Sequence, residues 1–154
     1  SAPDVDPIGS ILARIYLSSI PSSFKSFEHA MTFFRAHYPN LTDVQLSDRL
    51  KRYLKADGAD KFVVKRDPLI GDKYRGMLDG SIPSPKPDWD SLKNIRCPLL
   101  LLLGDRSELV SPTIVKEMLR INPRMEVVEI KNATHLICTE QPEQVLKAMQ
   151  MIKK

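Results

Sequence analysis

Two polar turns in the second half of the sequence hold the residues whose types could do acid–base chemistry. Glu108 lies in the turn Gly-Asp-Arg-Ser-Glu that follows a run of leucines, and His135 lies in the turn Asn-Ala-Thr-His that follows residues 125–130. A carboxylate can orient an imidazole, and the imidazole can then accept and return a proton. Such a pair still needs a nucleophile, so these residues would supply two thirds of a catalytic triad.

The segments before the two turns are predicted to be neighbouring parallel strands. Residues 98–103 are apolar throughout and end at Gly104, which is typical of a strand buried on both faces of a sheet. Residues 125–130 are predicted to form a second short strand. The carboxyl ends of parallel strands meet at one edge of an open α/β sheet, where such folds place their chemistry. We therefore expect Glu108 and His135 to lie at the same edge.

The composition is that of a globular domain, and it argues against several function classes. The 154 residues are 42% hydrophobic and 27% charged, and a net charge of +4 is spread along the chain. This mild charge does not indicate a nucleic-acid partner. No run approaches the roughly 20 apolar residues of a membrane span. Cys97 and Cys138 do not make a disulfide framework, so we expect a reducing, cytoplasmic location.

Residues 1–84 are predicted to be mainly helical. Apolar residues recur at helical spacing in the first part of this region, and Ser26 is the expected N-cap of a second helix. Thr42 and Gln45 have the spacing of a capping box for a third helix, which is predicted to reach Ala56. These signals favour a helical domain with irregular connections.

A change in the sequence pattern marks the predicted domain boundary. Asp67-Pro68 and Gly71 are expected to interrupt regular structure, and three prolines within residues 81–88 favour a stiff, extended connector. Residues 85–154 then alternate between strand-like and helix-like patterns. The sequence therefore predicts two regions, 1–84 and 85–154.

The second region is predicted to be a β-α-β-α segment of a parallel sheet. Ser111-Pro112 is typical of a helix start, and Pro142 opens a last helix whose apolar face includes Ile152. Short connections of this kind favour right-handed crossovers between parallel strands. A sheet of only two strands leaves unpaired edges and little cover for the leucine run. We expect the sheet to need further strands from outside this chain.

The order of residues in this region resembles the C-terminal half of α/β-hydrolase-fold proteins. The matching positions are Trp89, Leu92, Ile95, Pro98, Gly104, Ser107-Glu108-Leu109, His135, Glu140 and Pro142-Glu143. Upstream, the segment 4–7 (Asp-Val-Asp-Pro) is similar to the turn that follows the sixth strand in many members. The resemblance implies that the helical region is the cap inserted after that strand, and that residues 85–154 are the end of the α/β core.

The resemblance also implies roles for the polar residues. The family uses a nucleophile followed in chain order by an acid and a histidine, so Glu108 would be the acid and His135 the base. Asp105, three residues earlier in the same turn, is an alternative acid. Members that carry the acid after the sixth strand make Asp4 and Asp6 further alternatives. Thr134 stands where the family commonly has glycine.

The chain has no Gly-x-Ser-x-Gly motif and no glycine-rich oxyanion segment. Those elements supply nucleophilic attack and stabilise the tetrahedral intermediate. We therefore expect this chain to be inactive by itself and to be a fragment of a hydrolase that cleaves an ester or a related carbonyl or C–C bond. The alternative is a short non-catalytic protein of the same fold with a binding or interaction role.

The expected partners follow from these two hypotheses. A fragment would pair with the N-terminal half of the hydrolase core and bind a small-molecule substrate, whereas a short protein would form a homo-oligomer through its exposed sheet edge. No cofactor is expected. His135 and Cys138 are too few to complete a metal site, because no other cysteine or histidine is suitably spaced.

Overall fold

A computed structural model describes residues 2–58 and 60–151 of the chain. These residues divide into two compact units, one comprising residues 2–11 and 84–151 and the other comprising residues 12–83. The second junction lies between Pro83 and Ser84, within the proline-containing segment. The assignment of residues 12–83 to a cap remains a prediction.

The unit of residues 12–83 combines helices with a small antiparallel sheet. Its elements are α1 (Pro7–Ser19, which begins in the other unit), β1 (Ser23–Phe24), α2 (Phe27–His37), α3 (Asp43–Tyr53), β2 (Leu54–Ala56), β3 (Phe62–Val64) and α4 (Leu69–Asp79). The three strands lie in the order β1-β3-β2, and both pairings are antiparallel.

The predicted helix starts in this unit are confirmed. The Ser26 side chain accepts a hydrogen bond from the backbone N–H of His29 at the start of α2. At the start of α3, the Thr42 hydroxyl accepts from the Gln45 N–H, and the Gln45 side chain accepts from the Thr42 N–H. Two donors that a helix start leaves free are thereby satisfied, so local sequence fixes where both helices begin.

Two predictions for this unit are wrong. Helix α3 ends at Tyr53, because residues 54–56 form β2 against β3 and place Leu54 in the core with 4% exposure. Gly71 does not interrupt regular structure, because it lies inside α4, whereas Asp67-Pro68 does lie in the irregular stretch between β3 and α4. Helix α4 begins directly after Pro68, where the Asp67 side chain accepts the N–H of Leu69. Proline is tolerated there because the first helical residues need no N–H donor.

A single apolar cluster forms the core of this unit. Its fully buried members come from α2, α3 and the small sheet, and aromatic side chains pack around them. The cluster comprises Ile20, Phe24, Ala30, Phe34, Leu41, Leu46, Leu50 and Leu54. Burial of side chains of this size is the main favourable term for folding, so the unit has a hydrophobic core of its own.

The unit of residues 2–11 and 84–151 contains the predicted β-α-β-α segment. Its further elements are α5 (Trp89–Asn94), β4 (Leu99–Gly104), α6 (Pro112–Ile121), β5 (Met125–Ile130), α7 (Ile137–Glu140) and α8 (Pro142–Met149). Strands β4 and β5 are parallel, with Leu99 opposite Met125 and Gly104 opposite Ile130. The predicted α/β class and parallel pairing are confirmed. Ile152, predicted on the last helix, lies outside the described residues.

The leucine strand is less covered than its composition predicts. All five leucines of β4 are only half-buried, whereas the sequence predicts a strand buried on both faces. Among the described residues β4 pairs only with β5, so one of its edges has no strand beside it. Two apolar clusters pack against this small sheet, one with α5 and α6 and the other with α8.

None of the helices in the described part of the chain has the length and apolar character needed to cross a membrane.

Candidate functional site

The turns that carry Glu108 and His135 leave the sheet side by side. Gly104, the last residue of β4, lies opposite Ile130, the last residue of β5. Because the strands are parallel and end in register, the following residues emerge at the same edge of the sheet. The sequence-based expectation that the two turns share an edge is therefore confirmed.

Four hydrogen bonds connect the two turns. The backbone N–H of Asp105 donates to Ile130 O at 3.0 Å, and that of Arg106 donates to Ala133 O at 2.9 Å. The Asp105 carboxylate accepts the N–H of Ala133 at 3.1 Å, and the Arg106 guanidinium donates to Asn132 Oδ1 at 2.8 Å. The position of each turn therefore depends on the other.

Gly104 allows this close approach. A Cβ atom at this position would lie 2.1 Å from Thr134 O and 2.4 Å from Ala133 O, well inside contact distance. Asn132 contributes the sharp reversal after β5 with a φ of 56°, in the left-handed region that asparagine enters more readily than most residues. Backbone geometry thus brings the histidine turn against the end of β4.

His135 lies at the surface of this unit, beside a cavity. The cavity has a volume of about 500 Å³ and is lined by β4, by Gly104 and Ser107, and by His135 itself. No hydrogen bond to the His135 ring occurs among the residues that the structure describes. The imidazole is therefore accessible to a group that approaches from the cavity.

Glu108 is also exposed, and its backbone is held by the start of the chain. The carbonyl oxygen of Glu108 would lie 2.0 Å from a Cβ atom at Gly9, so only glycine fits at this crossing. The N–H of Asp6 donates to Leu109 O at 2.9 Å beside it. Within the described residues, no hydrogen bond or ion pair joins the Glu108 carboxylate to His135. The structure thus brings the two turns together without pairing these side chains.

The alternative acids have distinct surroundings. The hydrogen bond from the N–H of Ala133 lowers the pKa of Asp105, and the neighbouring cations Lys131 and Arg106 act in the same direction. Among the four candidate acids, Asp105 is the one whose carboxylate is bonded to the backbone of the histidine turn. No hydrogen bond joins its carboxylate to the His135 ring in the described part of the chain.

The two aspartates near the start of the chain bond to local backbone. Asp6 Oδ1 accepts the N–H groups of Ile8 at 3.0 Å and Gly9 at 3.4 Å, and so caps the first turn of α1. Asp4 Oδ1 accepts the N–H of Val5 at 2.8 Å. In the described part of the chain, neither aspartate is hydrogen-bonded to the His135 ring.

Sequence reasoning gave no role to two polar residues near His135. The Ser107 hydroxyl is buried and has no hydrogen-bond partner among the described residues, although Ser107 borders the cavity. The Glu140 carboxylate accepts two hydrogen bonds from Thr134, the residue before His135. The sequence gives one hint of the Thr134–Glu140 contact, namely that a hydroxyl residue and a carboxylate residue stand six positions apart.

The described residues contain no group of three or more histidine, cysteine or acidic side chains arranged to hold a metal ion. Cys97 and Cys138 are free and exposed. His135 and Cys138 are thus not accompanied by further ligands in the part of the chain that is described.

Comparison by sequence gives no match to a known protein family and none to a characterised protein. Comparison by structure gives matches that cover nearly all of the chain. They include E-2-(acetamidomethylene)succinate hydrolase, with 18% identity and a TM-score of 0.81 over 99% of this chain. An α/β hydrolase from Novosphingobium aromaticivorans matches with 22% identity and a TM-score of 0.74 over 97% of this chain. An esterase from Mycobacterium tuberculosis matches with 17% identity and a TM-score of 0.70, also over 97%.

The chain spans about half the length of these structures. It covers 54% of the succinate-derivative hydrolase, 53% of the Novosphingobium hydrolase and 48% of the mycobacterial esterase. At these identities the likeness establishes the fold and not the activity. The chain therefore has the α/β-hydrolase fold, of which it forms a C-terminal portion.

Proposed function

We propose that this chain supplies the acid–base half of a Ser-His-acid hydrolase site. His135 takes the proton of a serine hydroxyl as it attacks the substrate carbonyl, and later returns a proton to the leaving group. Glu108 is the proposed acid, which holds the imidazole in the reactive tautomer and stabilises the imidazolium that forms. The nucleophile and the oxyanion donors come from the rest of the protein.

One observation carries this proposal. The turns after β4 and β5 are joined by four hydrogen bonds at the carboxyl edge of a parallel sheet, with His135 exposed beside a cavity. Side chains from separate strand ends converge in this way where α/β sheets perform chemistry. An imidazole held on a fixed turn and open to an approaching group suits a general base.

The unpaired edge of β4 supports the view that the site is completed by another segment. The half-buried leucines of this strand would gain cover from a neighbouring strand, and the backbone groups along its free edge would gain partners. We propose that the N-terminal half of the hydrolase core supplies that strand together with the serine. A homo-oligomer through the same edge is the arrangement expected if the chain is a short binding protein.

The proposed reaction is hydrolysis of an ester or of a related carbonyl or C–C bond in a small molecule. The similar structures include a mycobacterial esterase and a hydrolase of a succinate derivative, which supports this reaction class. The unit of residues 12–83 is the proposed cap that shapes the substrate pocket. Because this unit has an apolar core of its own, we expect it to fold as a separate unit of the enzyme.

Labelling with a fluorophosphonate probe tests the catalytic proposal. The natural polypeptide that contains this chain should be labelled at a serine, and labelling should be lost in His135→Ala because the serine is no longer activated. His37→Ala is the matched control, since His37 is an exposed histidine on α2 and should leave labelling unchanged. The 154-residue chain alone should stay unlabelled, and labelling of that chain would contradict the proposed origin of the nucleophile.

The mass of the natural polypeptide separates the two hypotheses. A species of about twice 17.5 kDa is expected if the chain is part of a hydrolase, because the chain covers 54% of the succinate-derivative hydrolase. An antibody against residues of this chain would detect it in cell extracts. A stable product of 17.5 kDa would instead favour the short binding protein.

A further inference from the structure

The residue before His135 is bonded to a carboxylate that lies beyond it in the chain. Glu140, the last residue of α7, accepts the backbone N–H of Thr134 at 2.5 Å through Oε2 and the Thr134 hydroxyl at 3.0 Å through Oε1. Both carboxylate oxygens are therefore engaged by one residue. Hydrogen bonds to an ionised acceptor are about twice as strong as neutral ones.

The same hydroxyl also fixes the residue after His135. The N–H of Leu136 donates to Thr134 Oγ1 at 3.3 Å, so the hydroxyl both donates and accepts. These three hydrogen bonds hold the backbone on both sides of His135 while leaving its ring unbonded within the described residues. Thr134 and Glu140 are partly buried, which protects the contacts from competing water.

The Thr134 hydroxyl accounts for two of the three hydrogen bonds beside His135. It donates to Glu140 and accepts from Leu136, whereas the backbone N–H of Thr134 supplies the remaining bond to Glu140. Removal of the hydroxyl therefore tests most of the network and leaves the backbone contact in place.

We propose that Glu140 and Thr134 are positioning residues for His135. They hold the histidine turn in one conformation, so the imidazole meets the serine hydroxyl at the distance that proton transfer needs. This inference rests on the proposed function, because positioning matters only if His135 is the general base. Neither residue touches the reacting atoms. A displacement of about 1 Å at a catalytic group can lower a rate by as much as about 100-fold.

Hydrogen exchange in the natural polypeptide that contains this chain tests the network without relying on activity. In Glu140→Ala the Thr134 amide should exchange about 10-fold faster, since it loses a charge-assisted hydrogen bond. In Thr134→Val, which preserves shape and removes the hydroxyl, the Leu136 amide should respond in the same way. Thr134→Ser keeps the hydroxyl and should retain protection at that amide. Unchanged exchange at both amides would contradict the network.

A matched control accompanies these variants. Glu143→Ala removes an exposed carboxylate from α8, three residues along the chain, and should leave both amides unchanged. If Glu140→Ala does not fold, Thr134→Val still tests the network. This variant removes the two hydrogen bonds of Thr134 Oγ1 and leaves the Glu140 carboxylate in place. Far-ultraviolet circular dichroism establishes which variants are folded.

Kinetics of the natural polypeptide test the effect on catalysis. Thr134→Val should lower kcat about 10-fold with little change in KM, because the substrate pocket is untouched and the base is misplaced. Thr134→Ser should restore kcat. A wild-type protein that a fluorophosphonate fails to label contradicts the proposed function. Normal labelling with unchanged kcat in Thr134→Val and Glu140→Ala contradicts the positioning role alone.

Discussion

The carboxylate of Asp105 accepts a hydrogen bond from the backbone N–H of Ala133 at 3.1 Å, across the ends of two parallel strands. This contact ties the turn that contains Glu108 to the turn that contains His135. It also lowers the pKa of Asp105, because the bond stabilises the ionised carboxylate. Of the four hydrogen bonds that join the two turns, this one has an ionisable acceptor.

Stability should depend on pH through Asp105. A carboxyl group whose pKa is lowered in the folded state stabilises the fold above its unfolded pKa, here close to 3.8, and loses that contribution as the pH falls through the folded value. Asp105→Asn should therefore unfold at lower denaturant concentration than wild type at about pH 7, and this difference should shrink at about pH 3. Urea unfolding at both pH values provides the measurement.

The control for that experiment is Asp60→Asn, between β2 and β3. It makes the same charge change at an exposed position for which no hydrogen bond of the side chain occurs among the described residues. Its unfolding curve should follow that of wild type at both pH values. A difference for Asp105→Asn that stays constant with pH would show that the ionised carboxylate is not what stabilises the contact.

Gly104→Ala should destabilise the unit that holds the site. The added Cβ would lie 2.1 Å from Thr134 O, so the backbone of the histidine turn would have to move. Overpacking of this kind costs about 1–3 kcal/mol. Chemical denaturation measures the free energy of unfolding, and the amide signals of Ala133 and Thr134 should shift in NMR spectra.

Gly71→Ala in α4 is the contrasting variant. The nearest atom to a Cβ there belongs to the Arg66 guanidinium and is 3.4 Å away, an ordinary van der Waals contact. Alanine favours helix by about 1 kcal/mol over glycine, so this variant should be as stable as wild type or more so. Equal losses of stability in the two variants would argue against a specific clash at Gly104.

The identity of the acid can be tested in the natural polypeptide by four conservative substitutions. If Glu108 is the acid, Glu108→Gln should lower kcat by roughly 1,000- to 10,000-fold, the loss seen when a triad histidine is no longer held in its reactive tautomer. Asp105→Asn, Asp4→Asn and Asp6→Asn should have much smaller effects. Initial-rate kinetics on an ester substrate give the comparison, and a larger loss in any of the aspartate variants would reassign the role to that residue.

Thr42→Ala should lower the stability of residues 12–83 by about 1 kcal/mol, because the capping box at the start of α3 loses its side-chain acceptor. Ser111→Ala serves as the comparison. The Ser111 side chain makes no capping hydrogen bond at the start of α6, so its removal should cost at most a few tenths of a kcal/mol. Thermal unfolding followed by circular dichroism would resolve the two, and similar losses would show that the capping box adds nothing at Thr42.

Local patterns predicted those elements whose boundaries depend on nearby residues. Ser26 and Thr42 start α2 and α3 because their side chains bond to N–H groups three residues on. The prediction failed at residues 54–56, which extend the helical pattern and yet pair with β3. A strand pairing depends on a distant partner, and a window of neighbouring residues does not contain that information.

The sequence by itself determined which residues could do chemistry and the type of sheet that carries them. An apolar run that ends at glycine, a second short strand and polar turns after both were sufficient to predict Glu108 and His135 at one edge. Tertiary structure alone decided how the turns hold one another. The Asp105–Ala133 bond and the fit of Gly104 against Thr134 O both depend on backbone positions set when β4 and β5 pair in register.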